Sequence, residues 1–305
     1  MKRVFTVIAC TAMVFSLVSC GGNNKKKAAE GGCDGCCGEC QVEKVVVEAH
    51  DNCPKYAYVN NPEIDLSGFE KDADGYYILF NGKDFTGWRG YLKDHVPTLW
   101  TIEDGCLKFN GKGGGEAQQG DGGDIIFTKM FKNFELKFDW KVEKGANSGV
   151  FYLSREVVEI GENGEEKPVH IYCSAPEYQI LDNANHPDAK LGKTMGIRQS
   201  SSLYDMIIAD PQNANPYGEW NTAGILVYQG TVVHAQNEQN VLEYHLWTPE
   251  WTDLLNSGKF AHDKWPIAFD LLNNIGGPEH AGYIGFQDHG DVVYYRNIRI
   301  KLLDE

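Results

Sequence analysis

Residues 177–182 read Glu-Tyr-Gln-Ile-Leu-Asp. In an extended chain alternate side chains share a face, so Glu177 and Gln179 point one way and Tyr178 and Ile180 the other. With the apolar pair in a core, the polar pair lines a cleft and Glu177 becomes a candidate general base. The alternative is a solvated strand face, where carboxylates are common. Asp182 lies five positions from Glu177, on the opposite face of a regular strand; a β-bulge would return it to the same face. Gln179 is an amide with no acid–base function near neutral pH.

Other residues could serve such a centre. His289, in Gln287-Asp-His-Gly at what reads as a strand end, could donate a proton to a leaving oxygen or accept one. A turn histidine can equally be structural. Gln287 shares its face parity, which makes a polar cluster with the Glu177 strand plausible. Arg155 carries a permanent charge that could neutralise an oxyanion, or it pairs with neighbouring Glu156 at the surface. Asp182, His186 and Asp188 offer oxygen and imidazole ligands for a divalent metal; Asp and Asn in that loop are also turn formers. No other cofactor is implied. Trp88, Trp100, Trp220, Tyr204 and Trp247 are candidate stacking platforms or core aromatics.

These side chains need rigid elements to hold them. Phe134 to Val142 alternates apolar and charged residues without a slip, the mark of a half-buried strand. Residues 298–302 repeat the pattern. Further strands are expected at Thr98–Phe109 (with a turn at Asp104-Gly105), Ile125–Met130, Ser148–Leu153, Glu177–Leu181, Leu203–Ile208, Ala223–Tyr228, Thr231–Ala235, Val241–Leu246 and Gly282–Gln287. Glu250–Leu255 is the one segment that reads as helix. The pattern predicts an all-β sandwich or jelly roll of antiparallel sheets. There is no βαβ alternation, GxGxxG or P-loop, which excludes the nucleotide-binding folds that depend on them.

The N-terminus is of another kind. Lys2 and Arg3 precede an uncharged apolar run, Val4 to Val18, shorter than the about 20 residues a membrane span needs. It ends Leu-Val-Ser-Cys20-Gly, a lipobox-like sequence, so cleavage before Cys20 and lipidation of that residue are expected. Several acyl chains, at roughly 0.8 kcal/mol per buried CH₂, make a durable membrane anchor. Cleavage removes two cations and no acid, taking the formal charge from −15 to −17. Such a chain repels phosphate backbones, so nucleic acid is excluded as a partner. Residues 20–74 are rich in Gly, Lys, Ala and Cys and then in Asn, Pro and Asp, and read as a tether of about 40 Å reach, within which Val42–Ala49 is a short helix or strand. They contain Cys33, Cys36, Cys37, Cys40 and Cys53, either local disulfides in an oxidising compartment or a metal site. Cys106 and Cys173 sit in apolar, strand-like surroundings.

Taken in order, Leu79-Phe-Asn-Gly-Lys-Asp-Phe-Thr-Gly-Trp88, Asn147-Ser-Gly-Val150, Glu177-Tyr-Gln-Ile-Leu-Asp182, Ser202-Leu-Tyr-Asp205, Gly218-Glu-Trp-Asn221, Gly285-Phe-Gln-Asp-His-Gly290 and Arg296-Asn-Ile298 resemble the 3-keto-disaccharide hydrolase family over residues 75–305. The resemblance implies a concanavalin A-like jelly roll, activity on glycosides oxidised at C3, and an oxidoreductase elsewhere that makes or reduces the ketone. It implies Glu177, His289 and Arg155 as catalytic candidates, and Gln179, Asp182, Tyr204, Trp220, Asn237 and Gln287 as sugar contacts. Two departures stand out: Arg155 lies slightly beyond the family's arginine position, and Asn237 precedes Glu238 where members usually show Asn-Gly. The alternatives are a non-catalytic carbohydrate-binding module and a retaining glycosidase with Glu177 and Asp182 about 5–5.5 Å apart. The leader resembles those of Bacteroidetes lipoproteins. No acidic run follows Cys20, so an outer-membrane anchor facing the periplasm is expected.

Overall fold

The computed structural model describes residues 42–112 and 122–304. Phe134–Val142 is a nine-residue strand with every second side chain buried, as its alternation requires. It sits mid-way in the larger sheet, ordered Gln239–His245, Thr231–Gln236, Asn221–Tyr228, Phe134–Val142, Val293–Leu302, Cys106–Phe109, Trp100–Glu103, with Tyr77–Ile78 also on Val293–Leu302. The smaller sheet runs Glu177–Leu181, Asn147–Ser154, Tyr283–Phe286, Ile125–Phe127, Trp88–Gly90. Pairing is antiparallel in both. Asp104 and Gly105 both take positive φ, the tight hairpin turn their sequence suggests.

The two sheets close on an aromatic core. Phe138 of the larger sheet meets Tyr178 and Phe286 of the smaller at ring-centroid distances of 5.6 and 6.1 Å, and Phe286 meets Tyr295 at 4.4 Å. Edge-on and tilted contacts of this kind add to the burial energy of the rings. A polar seam also crosses the interior. His234 Nδ1 donates to the Ser201 carbonyl (2.8 Å), so its Nε2 accepts from Tyr152 Oη (2.7 Å), and Tyr152 in turn accepts from Tyr244. Burial pushes the His234 imidazole down to about 4, against the partial support of Ser201.

Where sequence and structure differ, burial supplied by distant residues is the reason. The tether expected over residues 20–74 is corrected for 42–74: a third sheet runs Glu43–Val47, Tyr56–Asn60, Val157–Ile160, Glu166–Pro168, each strand antiparallel to the next. Tyr56, Ala57 and Tyr58 are buried there, a fully covered strand with no alternation to betray it. Cys53, Cys106 and Cys173 are buried and form no disulfide among the described residues. Cys20 and Cys33–Cys40 lie outside the described residues. The Pro249–Asn256 helix is present, its Thr248 side chain accepting from Trp251 N. A second helix, Pro266–Asn273, is too short and apolar to be told from a strand in sequence. Leu203–Ile208 is no strand but a turn with Asp205 at positive φ, linked by isolated bridges.

Candidate active site

Tyr178 and Ile180 belong to the core, so strand parity turns Glu177 and Gln179 to the outer face of the smaller sheet. Glu177 leans across the neighbouring strand at Gly149. A Cβ on Gly149 would stand 2.5 Å from Glu177 Oε1 and 2.9 Å from its Cγ and Cδ. Asn147 lies two residues earlier on the same face, and Gln287 is fixed beside it by a bond from its N–H to the Gly149 carbonyl (2.9 Å). Asn147 and Glu177 from the sheet, and Gln287 and His289 from just past the Tyr283–Phe286 strand, meet Tyr172, Tyr204, Lys259 and Trp265 from flanking segments around a pocket of about 140 Å³. A wider groove of about 970 Å³ lies against the third sheet, but its Arg89 is already bonded to both oxygens of buried Glu156.

The Glu177 strand is the last of its sheet, yet its free edge is held. Gln179 N donates to Ser202 O, and the N–H groups of Ser201 and Tyr204 donate to the carbonyls of Gln179 and Glu177 (2.8–3.2 Å). This brings Tyr204 to the pocket. Burial raises the Tyr204 phenol, the negative Glu177 raises it further, and Arg198 over its ring opposes; the phenol keeps its proton and can donate. Lys259 Nζ stands 4.3 Å from the Tyr204 ring centroid. Asn147 Nδ2 faces His289 Nε2 at 3.2 Å, which in the neutral ring places the proton on Nδ1. Among the described residues, Asn147 Oδ1, Gln287 Oε1 and His289 Nδ1 are buried without a hydrogen-bond partner. Buried polar atoms are rarely left so, and three around one pocket mark it as the candidate site.

A family model for the 3-keto-alpha-glucoside-1,2-lyase-like domain matches residues 75–301. The chain belongs to this family. A 3-keto-disaccharide hydrolase of Bacteroides thetaiotaomicron is 58% identical over 304 residues, covering all of both chains. A Parabacteroides distasonis protein provisionally assigned as a glycosyl hydrolase, known from a crystal structure, is 31% identical. It superposes with a TM-score of 0.60 over 76% of this chain and 95% of its own.

Within this 3-keto-alpha-glucoside-1,2-lyase-like domain, Glu177, Gln287, His289 and Tyr204 gather as the sequence suggests. Others do not. Arg155 is buried away from the pocket, donating to Gly276 O, Glu279 and Asn60, while Glu156 pairs with Arg89 instead. Gln179 shares the face of Glu177 but is completely buried, its Oε1 accepting from Ile180 N. Asp182 accepts from Gly145 N, Ala184 N and Asn185 and closes a loop. Trp220 stacks on Arg296 (3.9 Å) and lies outside the pocket lining. Asn237 sits in a hairpin turn at positive φ, bonded to Thr222, Asn213 and Asn221. The metal candidates are engaged separately: Asp188 with Arg198, His186 Nδ1 with Asp188 N, Asp182 as above. Asn147 and Gly149 were within reach of the sequence, standing in the Asn-Ser-Gly motif. Tyr172, Lys259 and Trp265 carry no local signal, since chain folding alone brings them here.

Proposed function

We propose that this protein cleaves the glycosidic bond of 3-keto-glycosides by elimination and hydration, with Glu177 as base. The ketone acidifies the C2 proton, which Glu177 removes to give an enolate. The enolate re-forms the C3 carbonyl as its electrons make C1=C2 and break the bond from C1 to the leaving oxygen, which takes up a proton. Water then adds, hydroxyl to C1 and proton to C2, to complete a net hydrolysis. In this reading Lys259 supplies the positive charge facing the enolate, the part that Arg155 is too far into the core to play. His289 Nδ1–H or the Tyr204 hydroxyl donates to the leaving oxygen, and Asn147 and Gln287 hold sugar hydroxyls. The 58% identity to a named 3-keto-disaccharide hydrolase supports the substrate class.

The observation that carries the reading is one carboxylate, held over a glycine, opening to a pocket shared with a lysine, a histidine and a protonated phenol. A two-carboxylate retaining mechanism is disfavoured, because both Asp182 oxygens are taken by loop donors. The decisive experiment offers the protein a 3-keto-glucoside and the matching plain glucoside. Aglycone release from the keto form alone is expected, and Glu177→Gln should keep the fold and abolish it. Release from the plain glucoside, binding without release, or an active Glu177→Gln each refutes the proposal. The anchor at Cys20 and its outer-membrane, periplasm-facing placement belong to the same proposal; metabolic labelling with a fatty acid should disappear in Cys20→Ala.

A further inference from the structure

Residues 50–53 read His-Asp-Asn-Cys and form a two-residue turn. Asp51 and Asn52 both take positive φ (46° and 65°), and the His50 and Cys53 backbones bond to each other in both directions. The turn therefore presents an imidazole and a thiol side by side, three residues apart, as metal knuckles do. Asp270, on the Pro266–Asn273 helix, completes a group whose ligand atoms lie within 4.8 Å of one another.

The hydrogen bonds around the group orient it. His50 Nδ1 contacts the Glu48 carbonyl at 2.9 Å and must be the donor, so in the neutral ring Nε2 carries a lone pair. That lone pair faces Asp270 Oδ1 at 3.2 Å. Tyr56 Oη donates to Asp270 Oδ2 (2.8 Å), and Asn274 Nδ2 reaches Oδ1 at 3.3 Å, so the carboxylate is fixed from behind. Two acceptors at that distance need a positive centre between them, a proton or a metal ion. The separation suits a tetrahedral ion, whose nitrogen and oxygen ligands stand about 3.3–3.5 Å apart. A proton would use only those two atoms, whereas a metal ion would also engage the adjoining Cys53 thiol, whose hydrogen bond is a 3.5 Å contact to the Pro54 carbonyl. A backbone carbonyl on the far ring nitrogen is also the usual outer support of a metal-bound histidine.

We propose that His50, Cys53 and Asp270 bind a divalent transition-metal cation of the zinc type, away from the sugar pocket. Binding releases the Cys53 proton to solvent and forms one bond each to Sγ, Nε2 and Oδ1. A shift of about an ångström brings the thiolate into range, and water or another donor takes the fourth position. Thiolate and carboxylate balance the two positive charges, so the half-buried ion is neutral overall. The mixed sulfur, nitrogen and oxygen donors select zinc or cobalt over magnesium or calcium. The half-open His50 side chain, 35% exposed, gives a route of entry. The bound ion clips the turn between the first two described strands to a helix whose N-cap residue, Trp265, lines the pocket.

The test uses the full-length protein with Cys33, Cys36, Cys37 and Cys40 changed to serine, which removes the other cysteine-rich segment from the measurement. After chelator treatment it is titrated with Zn²⁺ and, separately, with Co²⁺. One equivalent should bind, Co²⁺ should develop a thiolate charge-transfer band, and Zn²⁺ should raise Tm. His50→Ala, Cys53→Ser and Asp270→Asn should each weaken binding by more than about tenfold, and Cys53→Ser should abolish the cobalt band. Circular dichroism and retained aglycone release identify the variants that have folded. No binding by the four-serine chain, or unchanged affinity in folded single variants, overturns the proposal.

Discussion

Gly149→Ala separates positioning from folding at this site. Glycine here is not required by the backbone, because Gly149 lies within the regular strand Asn147–Ser154 and not in the left-handed region. Replacing glycine by alanine in a strand should on its own be neutral to stabilising, by about 0.5–1 kcal/mol. The added methyl would instead meet Glu177 at 2.5 Å from Oε1 and 2.9 Å from Cγ and Cδ. Ordinary contact for carbon pairs is about 3.5–4.0 Å, so the side chain must retreat by about an ångström. The clash includes Cγ, so a swing of the carboxylate alone does not relieve it. A displacement of that size costs on the order of 100-fold in rate, or about 2.7 kcal/mol in the barrier. The assay is aglycone release from a 3-keto-glucoside, read as kcat and KM, beside a thermal melt. The expected result is a kcat about 100-fold down with Tm within a few degrees of wild type. A folded Gly149→Ala with wild-type kcat would show that Glu177 placement does not govern the reaction.

Other outcomes follow from the same structure. Arg155→Met strips buried donors from Gly276 O and Asn60 and leaves Glu279 unpaired; it should lower stability by about 2–4 kcal/mol in urea melts while KM in the folded fraction stays unchanged. His234 titrates near 4 when folded and about 6.5 when unfolded. The unfolded chain therefore takes up the proton first, and stability is lost as pH falls from 6.5 to 4, by about 3 kcal/mol in all. His234→Gln should be less stable at pH 7 yet show a flatter decline over that window; an unchanged slope would refute the assignment.

Much of the framework is legible in the sequence because it rests on local periodicity. Phe134–Val142 announces its buried face by alternation, and the parity that turns Glu177 outward follows from Tyr178 and Ile180 alone. What is not legible depends on partners far along the chain. Gln179 has the parity of a cleft residue, yet it is completely buried, and its backbone is paired along the strand edge by Ser201 and Ser202 from a later part of the chain. Arg155 resembles an oxyanion partner until Asn60, at a strand end, and Glu279, in a tight helical turn, claim its guanidinium from distant parts of the chain. Tyr56–Asn60 reads as linker because a strand buried on both faces has no alternation to show. Lys259 and Trp265 reach the pocket from the connection between two short helices, and nothing near them in sequence says so.

The backbone bonds from Ser201, Ser202 and Tyr204 to the last strand of the smaller sheet have a bearing on activity as well as on architecture. A strand that slides by one position exchanges its two faces, which would bury the base and present Tyr178 to the sugar. With a neighbour on each side, the strand has no room to slide and no open edge to offer another molecule. Changes at positions 200–203 that break these backbone bonds can thus silence the site from outside the pocket.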